Sequence, residues 1–415
     1  MFKLNETKFL NANEIYFLLF PIAILLRSAA LNGYIILGAI FFIFNIKKNK
    51  KIFTLLPIKI LSIFIIYLIL ISFNAENISQ ALKSSISQIR FLLFMLFIVF
   101  LDIRKDRFPL IFFFFSILIY FIILDTLWQY FFAVDFFGIA ADPVTNPNRL
   151  SGPFGKELIV GSYIAYFSIP IIAFYFSRIK NTTTSENVYY ISFAIFSFIA
   201  ILLSGERISL LIFLSSICIL LFIYLDKIKL IAILVFLVMT IIFAYNYNQG
   251  VKNRFNNFRD DVVNFKNSNH SKLFSSAYIV WKKNYLIGTG LKNYRLVCNN
   301  LYNDNFIDEF TNTKIVCSTH PHNVYFEVLA ETGIIGLSFF LMFVVLSVIF
   351  FLKNKKTIKN ELSPLYYSSL IILLVSYIWP IKSAGSFFST YSASYFWFYY
   401  GILLMCIKNS NPEKI

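Results

Sequence analysis

The stretch STHPHNVYFEVLAETGIIG, residues 318–336, ends the one long polar region of an otherwise apolar chain and leads into another apolar segment. Pro321 suits the first turn of a helix, where its missing N–H is not needed. Gly333 suits the end of that helix, because glycine takes a left-handed conformation without steric cost. The pattern therefore predicts a helix of about three turns between Pro321 and Gly333.

His322 and Asn323 lie at the predicted N-terminus of this helix, where free N–H groups and the helix dipole favour an anion. The same field opposes protonation of a histidine, so we expect a neutral imidazole that can accept a proton. A polar helix cap at the membrane surface is the alternative interpretation of the same residues.

His322-Asn323, followed after nine residues by Gly333-x-x-Gly336, resembles the signature of the O-antigen ligase and polymerase superfamily. Its members are polytopic bacterial membrane proteins that transfer glycans from a polyprenyl diphosphate carrier. The resemblance extends to twelve spans, a long outer loop before the motif and arginines at the outer ends of spans. It implies an enzyme that transfers glycans in a bacterial membrane. We expect the inner membrane, a site that faces the periplasm and no metal or other cofactor.

The composition independently places the chain in a membrane. Of 415 residues, 58% are hydrophobic and only 14% are charged, whereas a soluble domain is about one quarter charged. The net charge of +16 lies largely in short loops, where membrane orientation requires it, and no basic-aromatic pattern of a nucleic-acid-binding module accompanies it. We predict an all-α polytopic membrane protein with about twelve transmembrane helices, a mainly helical periplasmic loop domain and no nucleic-acid partner.

Apolar runs and basic loops predict the topology. The twelve expected spans are 15–31, 32–46, 58–73, 86–101, 108–127, 158–177, 188–204, 208–225, 228–245, 334–352, 365–381 and 386–407. The even-numbered connections are basic, which places both termini in the cytoplasm. Three regions follow: an N-terminal bundle over 1–245, a large periplasmic loop over 246–322, and the motif helix with the C-terminal spans over 323–415.

Two arginines stand at predicted outer positions. Arg149 precedes the sixth span and Arg207 lies in a tight turn between spans seven and eight. A guanidinium grips phosphate oxygens in a planar fork, so both are candidates for binding a diphosphate. The alternatives are an ordinary loop arginine for Arg149, and snorkelling or an ion pair with Glu206 for Arg207. Arg27, within the first predicted span, is expected to snorkel to its outer end.

Other polar residues are weaker candidates. The loop over 246–322 carries ten basic and five acidic residues, an excess that would attract an anionic lipid or glycan. Lys156, Arg295 and Lys292 are supporting candidates for substrate binding. His320 is expected to orient the motif, and His270 to be a surface residue.

Cys298 and Cys317 share the long loop. If that loop faces an oxidising periplasm, the two are expected to form a disulfide. A zinc site with His320 and His322 is the alternative, but the spacing fits no standard zinc finger.

The favoured hypothesis is an inverting, metal-independent glycosyltransferase. His322 would take the proton from an acceptor hydroxyl while Arg149 and Arg207 neutralise the diphosphate. In the ligase version the acceptor is the lipid A-core; in the polymerase version it is another carrier-linked repeat, and the sequence leaves both open.

A lipid-linked glycan flippase is less favoured, because the ionisable candidates gather at one surface and not inside the spans. The sequence has no Walker pattern, so ATP-driven transport has no support, and it has no His-Glu-x-x-His pattern, so metalloproteolysis has none. Glycoside hydrolysis has no support either, because the outer loops show no paired carboxylates.

Overall fold

The computed structural model describes residues 10–47, 49–140, 149–179, 182–225, 227–308, 310–361, 363–380, 382 and 385–410. It is an all-α polytopic membrane protein, which confirms the predicted fold class. The helices are α1 Ala12–Leu25, α2 Arg27–Asn45, α3 Leu56–Ile71, α4 Ile78–Ser87, α5 Ile89–Phe100, α6 Phe108–Phe132, α7 Val160–Phe176, α8 Thr184–Leu203, α9 Arg207–Tyr224, α10 Lys227–Tyr247, α11 Gln249–Val263, α12 Asn269–Lys283, α13 Tyr294–Asn303, α14 Val324–Lys353, α15 Lys355–Glu361, α16 Pro364–Tyr377 and α17 Thr390–Ser410. Within the described residues the strands are β1 Ile307–Asp308 and β2 Thr313–Lys314, which pair antiparallel.

A helix lies at each of the twelve predicted spans. Within the described ranges, eight helical segments are long and apolar enough to cross a bilayer, and α1, α7 and α16 are shorter apolar helices. Many large apolar side chains on these helices are exposed, most of all along α10, which buries little beyond Leu237. A lipid environment suits such surfaces, whereas water does not.

Several span boundaries differ from the prediction, most clearly those of the first and fourth spans. The expected first span, 15–31, is interrupted, because α1 ends at Leu25 and Arg27 takes a positive φ of 72° before α2 continues. The chain therefore breaks six residues earlier than hydropathy suggests, since a left-handed residue cannot sit inside a right-handed helix. The fourth span begins earlier than its predicted 86–101, because α4 precedes α5 with little interruption.

The chain forms two compact units, each built from three separated segments. Unit 1 comprises 1–31, 101–258 and 362–376, and in it α7 packs against α6, α8 and α9. Unit 2 comprises 32–100, 259–361 and 377–415, and in it α14 packs against α3 and α12, and α5 against α17.

The long polar loop is mainly helical, as expected. Its helices α11, α12 and α13 are joined by short turns, and β1 and β2 form a small hairpin after α13. In unit 2, apolar residues of α12 and α13 share a core with one residue of α14. That core contains Ala277, Val280, Tyr294, Val297, Cys298, Leu301, Ile315 and Ala330. The loop thus folds as an ordered layer and not as a linker.

Candidate functional site

Arg149 lies against the turn that carries Arg207, in unit 1. The Leu150 N–H donates to the Ser204 carbonyl at 3.3 Å, which holds the segment of Arg149 beside this turn. The Arg149 Nη2 donates to the Leu158 carbonyl at 2.9 Å. Its Nε is buried and has no hydrogen-bond partner within the described part of the chain. Arg149 therefore has one guanidinium N–H held in place and one buried N–H unsatisfied among the described residues.

Glu206 anchors the same turn. Its carboxylate accepts the Gly161 N–H at 2.7 Å, the Ser162 N–H at 3.1 Å, and hydroxyl protons from Ser162 at 2.6 Å and Ser209 at 2.8 Å. A Cβ on Gly161 would lie 2.5 Å from the Ser204 Oγ, so glycine is needed for this close approach. Glu206 thus caps the N-terminus of α7, a position where a carboxylate is stabilised.

Arg254 of α11 lies close enough to Arg149 and Arg207 for their charges to act on it. The Arg207 guanidinium lies 5.8 Å from the ring centroid of Phe258. Arg254 and Phe258 are four residues apart on one helix, so they share a face, and that face is turned towards Arg207. Arg149, Arg207 and Arg254 are together called the arginine cluster below.

The three charges of the arginine cluster act on one another. Burial lowers the pKa of Arg149; Glu206 raises it, and Arg207 lowers it further. Burial also lowers the pKa of Arg254, with smaller lowering by Arg149 and Arg207. Partly desolvated like charges cost free energy that a bound anion would offset.

Sequence reasoning missed Arg254, because it counted this residue among ten basic residues of one loop. The spacing of Arg254 and Phe258 within an amphipathic helix is the signal that could have identified Arg254.

Two other basic residues of unit 1 were considered in the sequence analysis. Lys156, a supporting candidate for substrate binding, has an exposed side chain. A Cβ on Gly155 would lie 2.7 Å from an Arg27 guanidinium nitrogen, so the Arg27 side chain reaches the loop that follows Arg149.

The His-Asn motif lies in unit 2 and begins α14 later than predicted. Asn323 is the N-cap, and its Oδ1 accepts the N–H groups of Tyr325 at 3.0 Å and Phe326 at 3.3 Å. Its Nδ2 donates to the Pro380 carbonyl at 2.6 Å. The expectation that Pro321 occupies the first helical turn is wrong, because Asn323 supplies the cap and the helix starts at Val324.

His322 takes a left-handed conformation, with φ of 59°, immediately before this cap. It is half-buried, and burial lowers the pKa of its imidazole, with a further lowering by His270. The predicted neutral state is therefore supported, though burial and not the helix dipole is the main cause. The ring centroids of His320 and His322 are 4.2 Å apart, and the Thr319 hydroxyl is 2.9 Å from the His320 Nδ1.

All three histidines of the chain thus belong to one neighbourhood. His270, expected at the surface, is half-buried on α12 and its charge reaches His322. The ring of Phe274, one turn after His270, stacks on Phe326 of α14 with centroids 5.0 Å apart. This stack holds the first turn of α12 against the motif.

Gly333 breaks α14 with φ of 66°, as the sequence predicts, but the helix resumes to Lys353. The segment 285–290 fills the break: the Ile334 N–H donates to the Tyr285 carbonyl at 3.0 Å and the Gly290 N–H to the Glu331 carbonyl at 2.8 Å. A Cβ on Gly333 would lie 2.2 Å from the Leu286 oxygen. Residues 324–332, before the break, are called the motif helix below.

Gly336 and the remaining candidates have distinct surroundings. A Cβ on Gly336 would lie 2.0 Å from the Thr332 Oγ1 and 3.0 Å from the Tyr67 ring, so this glycine allows α3 to pack closely. Arg295 is exposed on α13. Lys292 instead turns inwards, with its ammonium 2.7 Å from the Ser386 Oγ and 3.9 Å from the Glu327 Oε1.

Cys298 and Cys317 form a disulfide in the structure, with Cα atoms 5.7 Å apart. Cys298 is fully buried in the core shared by α12, α13 and α14. The bond therefore ties α13 to the chain that enters the motif. Among the described residues, no group of three or more histidine, cysteine or acidic side chains is arranged to hold a metal ion.

Residues 192–341 match the family model described as O-antigen ligase. This match supports the O-antigen ligase and polymerase superfamily that the sequence motif resembles. The matched region contains Arg207, Arg254, the motif helix and both motif glycines, whereas Arg149 precedes it. No curated protein matches the chain significantly. Members of this superfamily are glycosyltransferase-type enzymes that act on carrier-linked glycans at a lipid bilayer.

Proposed function

We propose that this protein is a ligase that transfers a glycan from undecaprenyl diphosphate to the lipid A-core at the periplasmic face of the bacterial inner membrane. This step would belong to lipopolysaccharide biosynthesis. The observation that carries the proposal is the arginine cluster, which lies largely within the region that matches the O-antigen ligase family.

The donor's diphosphate is the anion proposed for the arginine cluster. Arg149 offers a buried Nε without a partner among the described residues, and its other guanidinium nitrogen is fixed on Leu158. Arg207 is steadied by Phe258, and Arg254 adds a third charge. As the bond to the anomeric carbon breaks, negative charge grows on the departing diphosphate, and fixed cations stabilise that charge without reorganising. We propose that this replaces metal assistance.

His322 is proposed as the general base. Its imidazole is half-buried, and burial lowers its pKa, which favours the neutral form that can take the proton of an acceptor hydroxyl as that oxygen attacks the anomeric carbon. Attack opposite the departing diphosphate in one displacement would invert the anomeric centre. Asn323 and His320 would support the base, Asn323 through the helix cap and Pro380, and His320 through its contact with the His322 ring.

Transfer by the purified protein in proteoliposomes tests this proposal. With undecaprenyl-diphosphate-linked glycan as donor, lipid A-core should become glycosylated, and the product should keep forming when a chelator is present. Growth of glycan on the carrier, with lipid A-core left unmodified, would identify a polymerase instead. Movement of carrier-linked glycan across the bilayer without any new glycosidic bond would identify a flippase.

A further inference from the structure

Two acidic residues of the motif helix, Glu327 and Glu331, are buried in unit 2. Their side chains are 1% and 0% exposed, and they lie one helical turn apart on one face. Glu327 Oε2 accepts the Phe387 N–H at 2.8 Å. Glu327 Oε1 and both carboxyl oxygens of Glu331 are buried without a hydrogen bond of good geometry in the described part of the chain, and the backbone N–H groups of Lys292 and Tyr294 are the donors near Glu331.

Lys292 supplies the positive charge near this pair. Its ammonium is 3.9 Å from Glu327 Oε1 and donates to the Ser386 Oγ at 2.7 Å. Lys292 takes a positive φ of 62°, a conformation that non-glycine residues adopt only when their surroundings enforce it. The side chain is 30% exposed, so most of it is committed to the interior.

These contacts join three distant segments of unit 2. Lys292 follows the segment 285–290 that fills the helix break, Glu327 lies in the motif helix, and Ser386 and Phe387 precede α17. The Glu327 N–H donates to the Asn323 carbonyl at 2.9 Å, so the position of Glu327 fixes the turn that Asn323 caps. His322 comes immediately before this cap.

We propose that Lys292 is a positioning residue, which holds the motif helix in place by neutralising the buried Glu327–Glu331 pair instead of binding the substrate. Without Lys292, two buried carboxyl groups face each other with no cation, and a buried charge that has lost its partner is far costlier than one removed together with its partner. The motif helix would then shift or loosen, and His322 with it.

The consequence is an unusual pattern of double-mutant coupling. Lys292→Met should be harmful, whereas Glu327→Gln keeps an acceptor for the Phe387 N–H and removes the charge that needs Lys292. Combining both substitutions should therefore restore much of what Lys292→Met loses. A lysine that binds substrate phosphate directly could not be replaced by a change at Glu327.

The test measures thermal unfolding and glycan transfer for Lys292→Met, Glu327→Gln and the double variant, with Lys283→Met, an exposed lysine of α12, as the matched control. We expect Lys292→Met to lower the unfolding temperature and to lower kcat about ten-fold or more, with the KM for the carrier-linked donor unchanged. The double variant should recover most of both losses, and Lys283→Met should behave like the wild type.

Two outcomes would overturn the proposal: a double variant no more stable or active than Lys292→Met, or a raised donor KM in Lys292→Met that Glu327→Gln does not correct. Only the glycan-transfer measurements in this test rest on the proposed function. If the wild-type protein transfers no glycan, the proposed function fails, while the unfolding temperatures still decide whether Lys292 balances the two carboxyl groups.

Discussion

In the arginine cluster of unit 1 three cations lie close together, partly buried, with one guanidinium nitrogen of Arg149 unsatisfied among the described residues. Around the motif helix of unit 2 the opposite holds: burial lowers the pKa of His322, and Asn323 satisfies both the helix end and the Pro380 carbonyl. A bound anion would offset the repulsion among the cations of the arginine cluster. A base at His322, in contrast, must be neutral and held in a fixed position. This difference is the basis for proposing binding in one region and proton transfer in the other.

The largest effect should come from disturbing the fixed geometry of the motif region. Gly333→Ala would place a Cβ 2.2 Å from the Leu286 oxygen at a residue with φ of 66°. We expect a loss of about 3 kcal/mol or more in the free energy of unfolding, together with loss of transfer. The matched control is Gly33→Ala in α2, where a new Cβ meets no atom within 4 Å. Equal unfolding free energies for both variants would show that the helix break is not enforced.

A change at the arginine cluster should act on binding first. Arg207→Lys keeps the charge but loses the planar fork, so we expect the carrier diphosphate to bind about ten-fold more weakly. Arg259→Lys is the control, because Arg259 is exposed on the same helix as Arg254 and pairs with Asp260. Unchanged donor affinity in Arg207→Lys would remove Arg207 from the binding site.

The disulfide should affect stability rather than chemistry. Cys298 and Cys317 are 19 residues apart, so the bond is expected to contribute about 3 kcal/mol by restricting the unfolded chain. A Cys298→Ala/Cys317→Ala variant should unfold earlier and keep the wild-type kcat while folded. Full thiol labelling of both cysteines in the unreduced, denatured wild type would mean that the bond does not form in the cell.

The smallest effect should appear in the pH profile. Because burial and His270 lower the pKa of His322, the neutral base persists below pH 6.5, the ordinary value for histidine. Transfer should then fall only in a more acidic range. His270→Gln removes one cause of the lowering, so the acid limb should move to higher pH while the plateau rate stays the same. An unmoved limb in this variant would show that His270 does not act on His322.

Much of this account was accessible from the sequence. A helix lies at each of the twelve stretches that hydropathy predicts, and the break at Gly333 followed from the need for a positive φ. The predicted helix start at Pro321 was too early. A side-chain cap from Asn323 outweighs the preference of proline for a first helical turn, so the helix starts at Val324.

Three features depend on contacts between residues distant in sequence. Arg254 reaches Arg207 only through the packing of α11 by way of Phe258, His270 reaches His322 through the stacking of α12 on α14, and Lys292 meets Glu327 through a turn with positive φ. Local sequence patterns cannot predict such contacts between distant residues. The orientation across the bilayer, with the motif in the periplasm, stays a prediction that phosphatase fusions after Asn267 and Lys355 can test.

We propose that the arginine cluster binds the donor and that His322 performs proton transfer. Two variants separate these roles: Arg254→Gln, and His322→Asn, in which asparagine tolerates the φ of 59° that alanine would not. The decisive measurement is donor affinity and single-turnover transfer rate for both variants in nanodiscs. We predict that Arg254→Gln weakens binding about ten-fold, and that His322→Asn leaves binding unchanged while slowing transfer by about 10² to 10⁴. Near wild-type transfer by correctly folded His322→Asn, or unchanged donor affinity in Arg254→Gln, would contradict the account.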